Sequence, residues 1–458
     1  MKYLLYLSSY FLLLNCTVDR KGGEKIDDFS FRLGNVAAFS EMVNAQVKKI
    51  ALSEPMSPTE MDEFLPFAAE EAKHYNVSLF REKSLMTTSL FPDNVAQNKE
   101  VLLLYQGSAK DEYLQLKKRW ESMMNKGVSD FEQQIELSRQ FGRLLGYSAE
   151  KINQLLAENT SFRTLSNFGI LANNLFLYYK DLPAASEFYE EIIGLEKVGE
   201  FDNANLFRIS FDSYLTLVDE KKGMHRSSEA KSVALALLTD DLNAWRDHFK
   251  ANKVPIKYDL KERGGSAHDG FVAIDPEGYL LEIERFNPHP ENENFIPLLA
   301  RNKQIKFSKG ERNSIPDRLQ FHSTITWLYH KDVLAMEHFY QNILGLRPVA
   351  DQGWAKIYQV SKTGFMGIVD ELRGMNQYAD KKAVNVGFIL EDLDGWFNYS
   401  SKYPTLSIQD SSLQVGPDSR YEAFTGIGPE KYYYEFDKFY PNDKNQKLID
   451  YLKSKPSL

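Results

Sequence analysis

Few side chains in this sequence can do nucleophilic or metal chemistry. There are eight histidines and a single cysteine, Cys16. A lone thiol cannot close an internal disulfide, so the fold does not depend on one. No two histidines stand at the spacing that presents a pair of metal ligands on one face. His74 reads as a surface residue, His225 as a loop residue after Gly223-Met224, His330 as the end of a strand and His338 as helical. Two glutamates, Glu282 and Glu435, stand out instead. Around the first, Tyr279, Leu281 and Ile283 alternate with Leu280, Glu282 and Glu284, the pattern of a strand with one apolar face and one acidic face. A carboxyl on such a face inside a cleft would titrate high unless a cation or hydrogen-bond donors stood beside it. No residue is assigned a catalytic role.

An internal repeat positions these residues. Shifted by 151 residues, 181–195 matches 332–346 at 7 of 15 positions and 218–245 matches 369–396 at 10 of 28. The shared words include Phe188-Tyr189 with Phe339-Tyr340, Val218-Asp219-Glu220 with Val369-Asp370-Glu371, and Trp245 with Trp396. The last strands match at a shift of 153, placing Pro276-Glu277, Tyr279 and Glu282 on Pro429-Glu430, Tyr432 and Glu435. Each copy repeats again within itself, since Asp181-Leu182-Pro183-Ala184 resembles Asp241-Leu242-Asn243-Ala244. In both, an alternating strand precedes the aspartate, which is placed to cap the helix that follows. Each half then reads strand, helix, strand, strand, strand. In the first half these are 173–179, 183–193, 196–201, 205–211 and 214–218.

The sequence of strand, Lys-Asp-Leu, helix, Phe-Tyr and Gly-Leu, closing on Asp275-Pro276-Glu277-Gly278-Tyr279-Leu280-Leu281-Glu282, resembles the vicinal oxygen chelate superfamily. That superfamily includes glyoxalase I, the bleomycin-resistance proteins and the extradiol dioxygenases. The resemblance covers 171–286 and 319–439. It implies an α+β fold of two tandem domains, each a pair of βαβββ units curled around a shared cleft.

Enzymes of that superfamily hold a divalent metal in the cleft, with ligands from the first, fourth, fifth and eighth strands. Carried onto this chain by its Asp-Leu anchors, the positions are Asn174, Thr216, Ala234 and Glu282 in the first copy. In the second they are Ile325, Gly367, Asn385 and Glu435. One carboxylate per copy with amides, hydroxyl or apolar groups is a poor set for zinc or iron. His322, three residues before Ile325, has the opposite strand parity and would need a register slip to replace a ligand. The expectation is therefore no metal and no other cofactor. Phe176 and Tyr178 share parity with Asn174, and Trp327 and Tyr329 share it with Ile325. The candidate ligand cleft is thus Asn174, Phe176, Tyr178, Glu282, Ile325, Trp327, Tyr329, Asn385 and Glu435, an aromatic lining suited to a small organic ligand.

Upstream, 29–168 reads as a mostly helical α/β domain of unknown role. Val36, Phe39, Val43, Val47 and Ile50 fall on one helical face. Ser57-Pro58-Thr59-Glu60 is a capping box with proline in the first turn, and Pro66 predicts a kink or break. Short strands are expected at 77–80, 85–91 and 101–105. Tyr113, Leu116, Trp120 and Met123 then line one face of a helix.

At the N-terminus, Met1-Lys2 precedes an apolar run over 3–14, too short to span a bilayer and shaped like a signal peptide. Leu13-Leu14-Asn15-Cys16 resembles a bacterial lipobox, with Asn15 in place of the usual small residue. That resemblance implies cleavage before Cys16, its lipidation, and a cell-envelope protein on a membrane, facing periplasm or exterior. The parts are then a signal peptide over 1–15, a tether over 16–28, the N-terminal domain over 29–168, two glyoxalase-like domains at 171–286 and 319–440 joined by a linker over 287–318, and a tail over 441–458. The chain has 458 residues, enough for about three domains, and its net charge of −9 argues against a nucleic-acid partner. Three functions stay open: metal-free capture of a small molecule or partner at the envelope, a metal-dependent enzyme of the glyoxalase or dioxygenase kind, and a structural envelope lipoprotein.

Overall fold

The structure is a computed structural model. It describes residues 28–454 except 92–94, 126–130, 159–162, 263, 308–309, 311–314 and 317. The signal-peptide run, Cys16 and most of the tether lie outside the described residues. The chain divides into two units, 1–162 and 163–458. Among the described residues no helix is long and apolar enough to cross a membrane.

The first unit runs α1 (Asp28–Asn44), β1 (Ile50–Leu52), α2 (Pro58–His74), β2 (Ser78–Glu82), β3 (Val101–Tyr105), α3 (Ala109–Asn125), α4 (Phe131–Leu144) and α5 (Ala149–Glu158). β3 is the middle strand of a three-stranded sheet. The capping box forms, with Ser57 Oγ accepting from Glu60 N–H and Glu60 accepting from Ser57 N–H. Three expectations change. Pro66 sits inside an unbroken α2. Helix α1 ends at Asn44, because Gln46 takes a left-handed φ of 59°, so Val47 is exposed and Ile50 enters β1. The 85–91 run is not a strand. Met86 N–H donates to Tyr113 Oη and Leu90 N–H to Thr88 Oγ1, so side chains stand in for a strand partner.

The second unit opens with a short 3-10 turn, Leu165–Phe168, which belongs here rather than to the N-terminal domain. Four units of the expected order follow. The first is β4 (Ile170–Tyr179), α6 (Leu182–Glu187, running on into a π turn, Phe188–Ile192), β5 (Glu196–Phe201), β6 (Ala204–Ser210) and β7 (Ser213–Asp219). The next is β8 (Val233–Leu238), α7 (Leu242–Ala251), β9 (Ile256–Tyr258), β10 (His268–Ile274) and β11 (Leu280–Phe286). Helix α8 (Ile296–Asn302) lies in the stretch read as a linker, and Phe295, Leu298 and Leu299 there join the core.

The second copy supplies β12 (Ser323–His330), α9 (Val333–Asn342), β13 (Arg347–Asp351), β14 (Ala355–Gln359) and β15 (Gly364–Asp370). It ends with β16 (Val384–Leu390), α10 (Leu393–Ser400), β17 (Ser407–Ile408), β18 (Gln414–Val415), β19 (Tyr421–Ile427) and β20 (Tyr433–Phe439). The tail folds as α11 (Gln446–Lys453), which packs on β5 with Leu448 and Ile449 buried. Asp181, Asp332 and Asp392 cap their helices by accepting from the N–H three residues on. Asp241, the fourth, makes no such bond.

The pairing of the units differs from the expected one. The two halves of one copy do not share a sheet. One sheet runs β17-β19-β20-β16-β4-β7-β6-β5, joining the first unit to the fourth. The other runs β13-β14-β15-β12-β8-β11-β10-β9, joining the second to the third. The seams are antiparallel pairs, β4 with β16 and β8 with β12. β8, Val-Ala-Leu-Ala-Leu-Leu, is buried along its whole length, as a central strand covered on both faces must be. Two tyrosines tie the sheets together. Tyr279 Oη accepts from Tyr178 N–H and donates to Ala383 O, and Tyr432 Oη does the same with Tyr329 and Ser232. Gly364 lies so close to Asn173 that a Cβ would sit 1.6 Å from its Oδ1, which fixes glycine where β15 passes β4.

Candidate functional site

Because the units pair across copies, the residues read as two clefts regroup. Phe176 and Tyr178 on β4 now line one cleft with Glu435 on β20, while neither Asn174 nor Asn385 lines it. Glu282 on β11 lines the other with Trp327 and Tyr329 on β12. Each cleft still receives one of the two glutamates, but from the copy opposite to the one expected.

The β4–β20 cleft encloses about 260 Å³. Phe176 and Tyr178 form one wall, Phe201, Tyr421 and Phe439 the others, and Glu435 and Asp437 line its floor. Strand alternation places these two carboxyls on the same face of β20. Asn385 Nδ2 donates to Glu435 Oε2 at 2.9 Å. Asn174 does not line the cavity. Its amide is paired with Thr216, donating to Oγ1 at 2.8 Å and accepting at 3.1 Å. Burial pushes the Glu435 carboxyl up to about 7 against the pull of Asn385. Burial, and then the charge of Glu435, raise Asp437 well above the usual carboxylate range.

The β8–β12 cleft is larger, about 450 Å³. Trp327, Tyr329, Trp354, Phe271 and Phe286 wall it, and Glu282 and Glu284 line its floor. Burial, and then its neighbour Glu284, raise Glu282 well above the ordinary glutamate value. Arg373 lies at this cleft with its guanidinium 5.0 Å from the centre of the Trp354 ring. Ile325 is fully buried in the core rather than lining the cavity.

Neither donor set suits the superfamily's metal. At Gly367, one of the four carried-over positions, the Trp327 ring fills the space, and a Cβ would lie 2.0 Å from its Cε3. Ala234 and Ile325 add nothing that ligates, so Glu282 stands alone in its cleft among those positions. In the other cleft Asn174 and Thr216 satisfy each other and Asn385 gives its amide nitrogen to Glu435, which leaves one carboxylate and one amide oxygen, a poor set for zinc or iron. Among the described residues no three His, Cys, Asp or Glu side chains gather to hold a metal ion. His322 stays outside both cavities. It contacts Ser323 Oγ at 3.2 Å, and burial lowers its pKa to about 4.

Residues 171–283 match the family model of the Glyoxalase/Bleomycin resistance protein/Dioxygenase superfamily. That stretch of the chain belongs to this superfamily. Among solved structures, glyoxalase I from Zea mays is 13% identical, with 62% of this chain and 95% of that one covered, at a TM-score of 0.42. Lactoylglutathione lyase from Agrobacterium tumefaciens is 22% identical over 24% of this chain and 90% of its own, at a TM-score of 0.22. A glyoxalase/bleomycin resistance protein/dioxygenase from Alicyclobacillus acidocaldarius is 20% identical over 26% and 92%, also at 0.22. A search of curated proteins gives no match.

Several site residues were not singled out from the sequence. Glu284 and Asp437 share the strand face of Glu282 and Glu435, so parity alone could have found them. Trp354 and Arg373 come from the third unit and reach the cavity only because that unit pairs with the second. His225 is buried rather than a loose loop residue. Its Nδ1 meets Glu229 Oε2 at 2.8 Å, and its ring stands edge-on to Tyr178 and Tyr433. It braces the wall of the β4–β20 cleft from behind.

Proposed function

We propose that this protein captures a small organic molecule without a metal, and does so as an exported lipoprotein held to a membrane through Cys16. The observation that carries the first part is that both glyoxalase-like clefts have aromatic walls over a carboxyl pair, while the metal positions other than Glu282 and Glu435 hold alanine, glycine, isoleucine, a mutually paired Asn174 and Thr216, and Asn385, whose amide nitrogen is on Glu435. Such a lining favours burial of an apolar body with one polar end. The larger cavity, about 450 Å³, lies within the range of small-ligand sites.

A thermal-melt screen of aromatic and heteroaromatic compounds tests the capture reading, with tryptophan fluorescence as second readout because Trp327 and Trp354 line the larger cavity. Saturable rises in Tm with matching changes in emission are expected. In the same assay zinc, nickel, iron and manganese leave Tm unchanged, and protein purified without chelator carries them well below one equivalent. One tightly held equivalent per chain, lost in Glu435→Gln or Glu282→Gln, would overturn the metal-free reading.

The anchoring part is supported by the short apolar run ahead of Leu13-Leu14-Asn15-Cys16. Acyl chains contribute about 0.8 kcal/mol per buried methylene, enough for stable attachment when two or more are present. Cys16→Ser is expected to lose acylation and move the protein from the membrane pellet to the soluble fraction. Unchanged pelleting would reject the lipid anchor.

A further inference from the structure

We propose that the β4–β20 cleft takes a protonated primary or secondary amine with an aryl or short alkyl body, its N–H groups on Asp437 and Glu435. This rests on the reading that the clefts take organic ligands, and names the class for one of them.

The floor of this cleft is the carboxyl pair of Glu435 and Asp437. Asp437 Oδ2 is buried, in a lining residue that is 3% exposed, and has no hydrogen-bond partner; Asn385 Oδ1, outside the lining, is unpartnered as well. The Asn385 orientation follows from its bond to Glu435, because a carboxylate accepts and so takes the amide nitrogen. Its oxygen is left over. A buried acceptor without a donor is costly, and a ligand that brings N–H groups removes that cost.

Charge points the same way. Among the described residues, no Lys, Arg or His makes an ion pair with Glu435 or Asp437. Lys222 lines the cavity but directs its ammonium to Asp202 O at 3.3 Å. Arg420 donates to Glu200 O at 2.9 Å, and its guanidinium lies 5.3 Å from the centre of the Phe201 ring. The walls, Phe176, Tyr178, Phe201, Tyr421 and Phe439, offer π faces, which attract a cation and accommodate an apolar body. The unpartnered Asp437 oxygen selects N–H over a quaternary ammonium, which has no donor.

The duplication supports the carboxyl pair as a built feature. The positions at β11 and β20 carry Glu282 and Glu284 in one copy and Glu435 and Asp437 in the other, while their neighbours change from Leu281 and Ile283 to Tyr434 and Phe436. The β8–β12 cleft, by contrast, also holds the unpartnered Trp327 Nε1 and the Arg373 guanidinium beside its carboxyl pair.

Calorimetric titration at pH 8 tests the proposal with phenethylamine, its trimethylammonium analogue, 2-phenylethanol, phenylacetate and calcium chloride. The proteins are wild type, the double variant Glu435→Gln/Asp437→Asn, and Glu282→Gln/Glu284→Gln as a control in the other cleft. Thermal melts confirm that each variant is folded. Phenethylamine is expected to bind about tenfold or more tighter than the alcohol and the quaternary analogue. That preference should vanish in Glu435→Gln/Asp437→Asn and persist in the control. Equal binding of amine and alcohol, a preference that survives the first variant, or calcium saturating this pair while the amine does not bind would overturn the amine. If none of these probes binds while the broader screen finds other ligands, the amine assignment falls and the organic-ligand reading stands. Silence in both experiments removes both.

Discussion

Asp212→Ala is expected to lower the stability of the 163–458 unit by about 4 kcal/mol and to empty both clefts of ligand. Asp212 closes the β6–β7 turn and receives the β14–β15 turn of the other copy. Its Oδ1 accepts from Thr363 N–H at 2.8 Å, Thr363 Oγ1 at 2.6 Å and Ser361 Oγ at 2.9 Å, and its Oδ2 from Lys362 N–H at 3.0 Å. The residue is 7% exposed. Removing the carboxylate takes the acceptor from two backbone N–H groups and the Thr363 hydroxyl, and bonds to a charged acceptor are the stronger kind. The consequence reaches both clefts because this contact joins the first unit to the third, and each of those units belongs to a different sheet. Chemical denaturation measures the loss. Asp212→Asn, which keeps the shape but offers one acceptor and no charge, should lose roughly half as much. Asp202→Ala, at an exposed carboxylate, should leave the midpoint unchanged. A denaturation midpoint for Asp212→Ala within error of wild type would show that the turn-to-turn contact does not hold the copies together.

That contact also explains what the sequence could not reveal. The strands themselves were readable: Glu196–Phe201 forms with the expected bounds, and the Leu280, Glu282, Glu284 face opens to a cleft as alternation requires. Partner choice was not, because duplication makes β4, β8, β12 and β16 resemble one another, each followed by its Asp and helix. Pattern says that such strands want a partner at the seam, not which copy supplies it. The choice is made by long-range contacts such as Asp212 with Thr363 and Tyr279 with Ala383, which leave no periodic trace. The same holds for the candidate site. Asn385 and Glu435 were legible as positions, but their company with Phe176 and Tyr178 rather than Trp327 and Tyr329 was not. In the first unit of the chain, the 85–91 run was apolar enough to suggest a strand. Its backbone donors are met by Tyr113 and Thr88 hydroxyls, an arrangement that no local pattern announces.

The carboxyl floor has a thermodynamic signature that is independent of any ligand. Glu435→Gln is expected to stabilise the protein at pH 8 by up to about 3 kcal/mol and to leave it nearly unchanged at pH 4. In the folded state burial lifts Glu435 to about 7 from an ordinary value of 4.5. Between those two values the folded chain therefore holds a proton that the unfolded chain has released. Stability from this group is fully present below about 4.5 and is lost as pH rises through about 7, where the buried carboxyl must ionise. The groups around it do not cancel the effect. Asn385 helps the charged form, Asp410 opposes it, and Tyr178 and Tyr421 are held neutral by burial. Lys222, the nearby cation on the cavity lining, is turned to Asp202 O. Glutamine keeps a hydrogen-bond partner for Asn385 and carries no titrating proton, so the variant curve should lie above wild type only at the alkaline end. Adding Asp437→Asn should widen the gap, because burial and the charge of Glu435 raise Asp437 in the same direction. Urea denaturation from pH 4 to pH 8 reads the difference directly. A gap that opens toward acid instead would mean that Glu435 is ionised and paired in the folded protein. Since no basic side chain among the described residues pairs with it, the partner would then have to be a cation brought from outside.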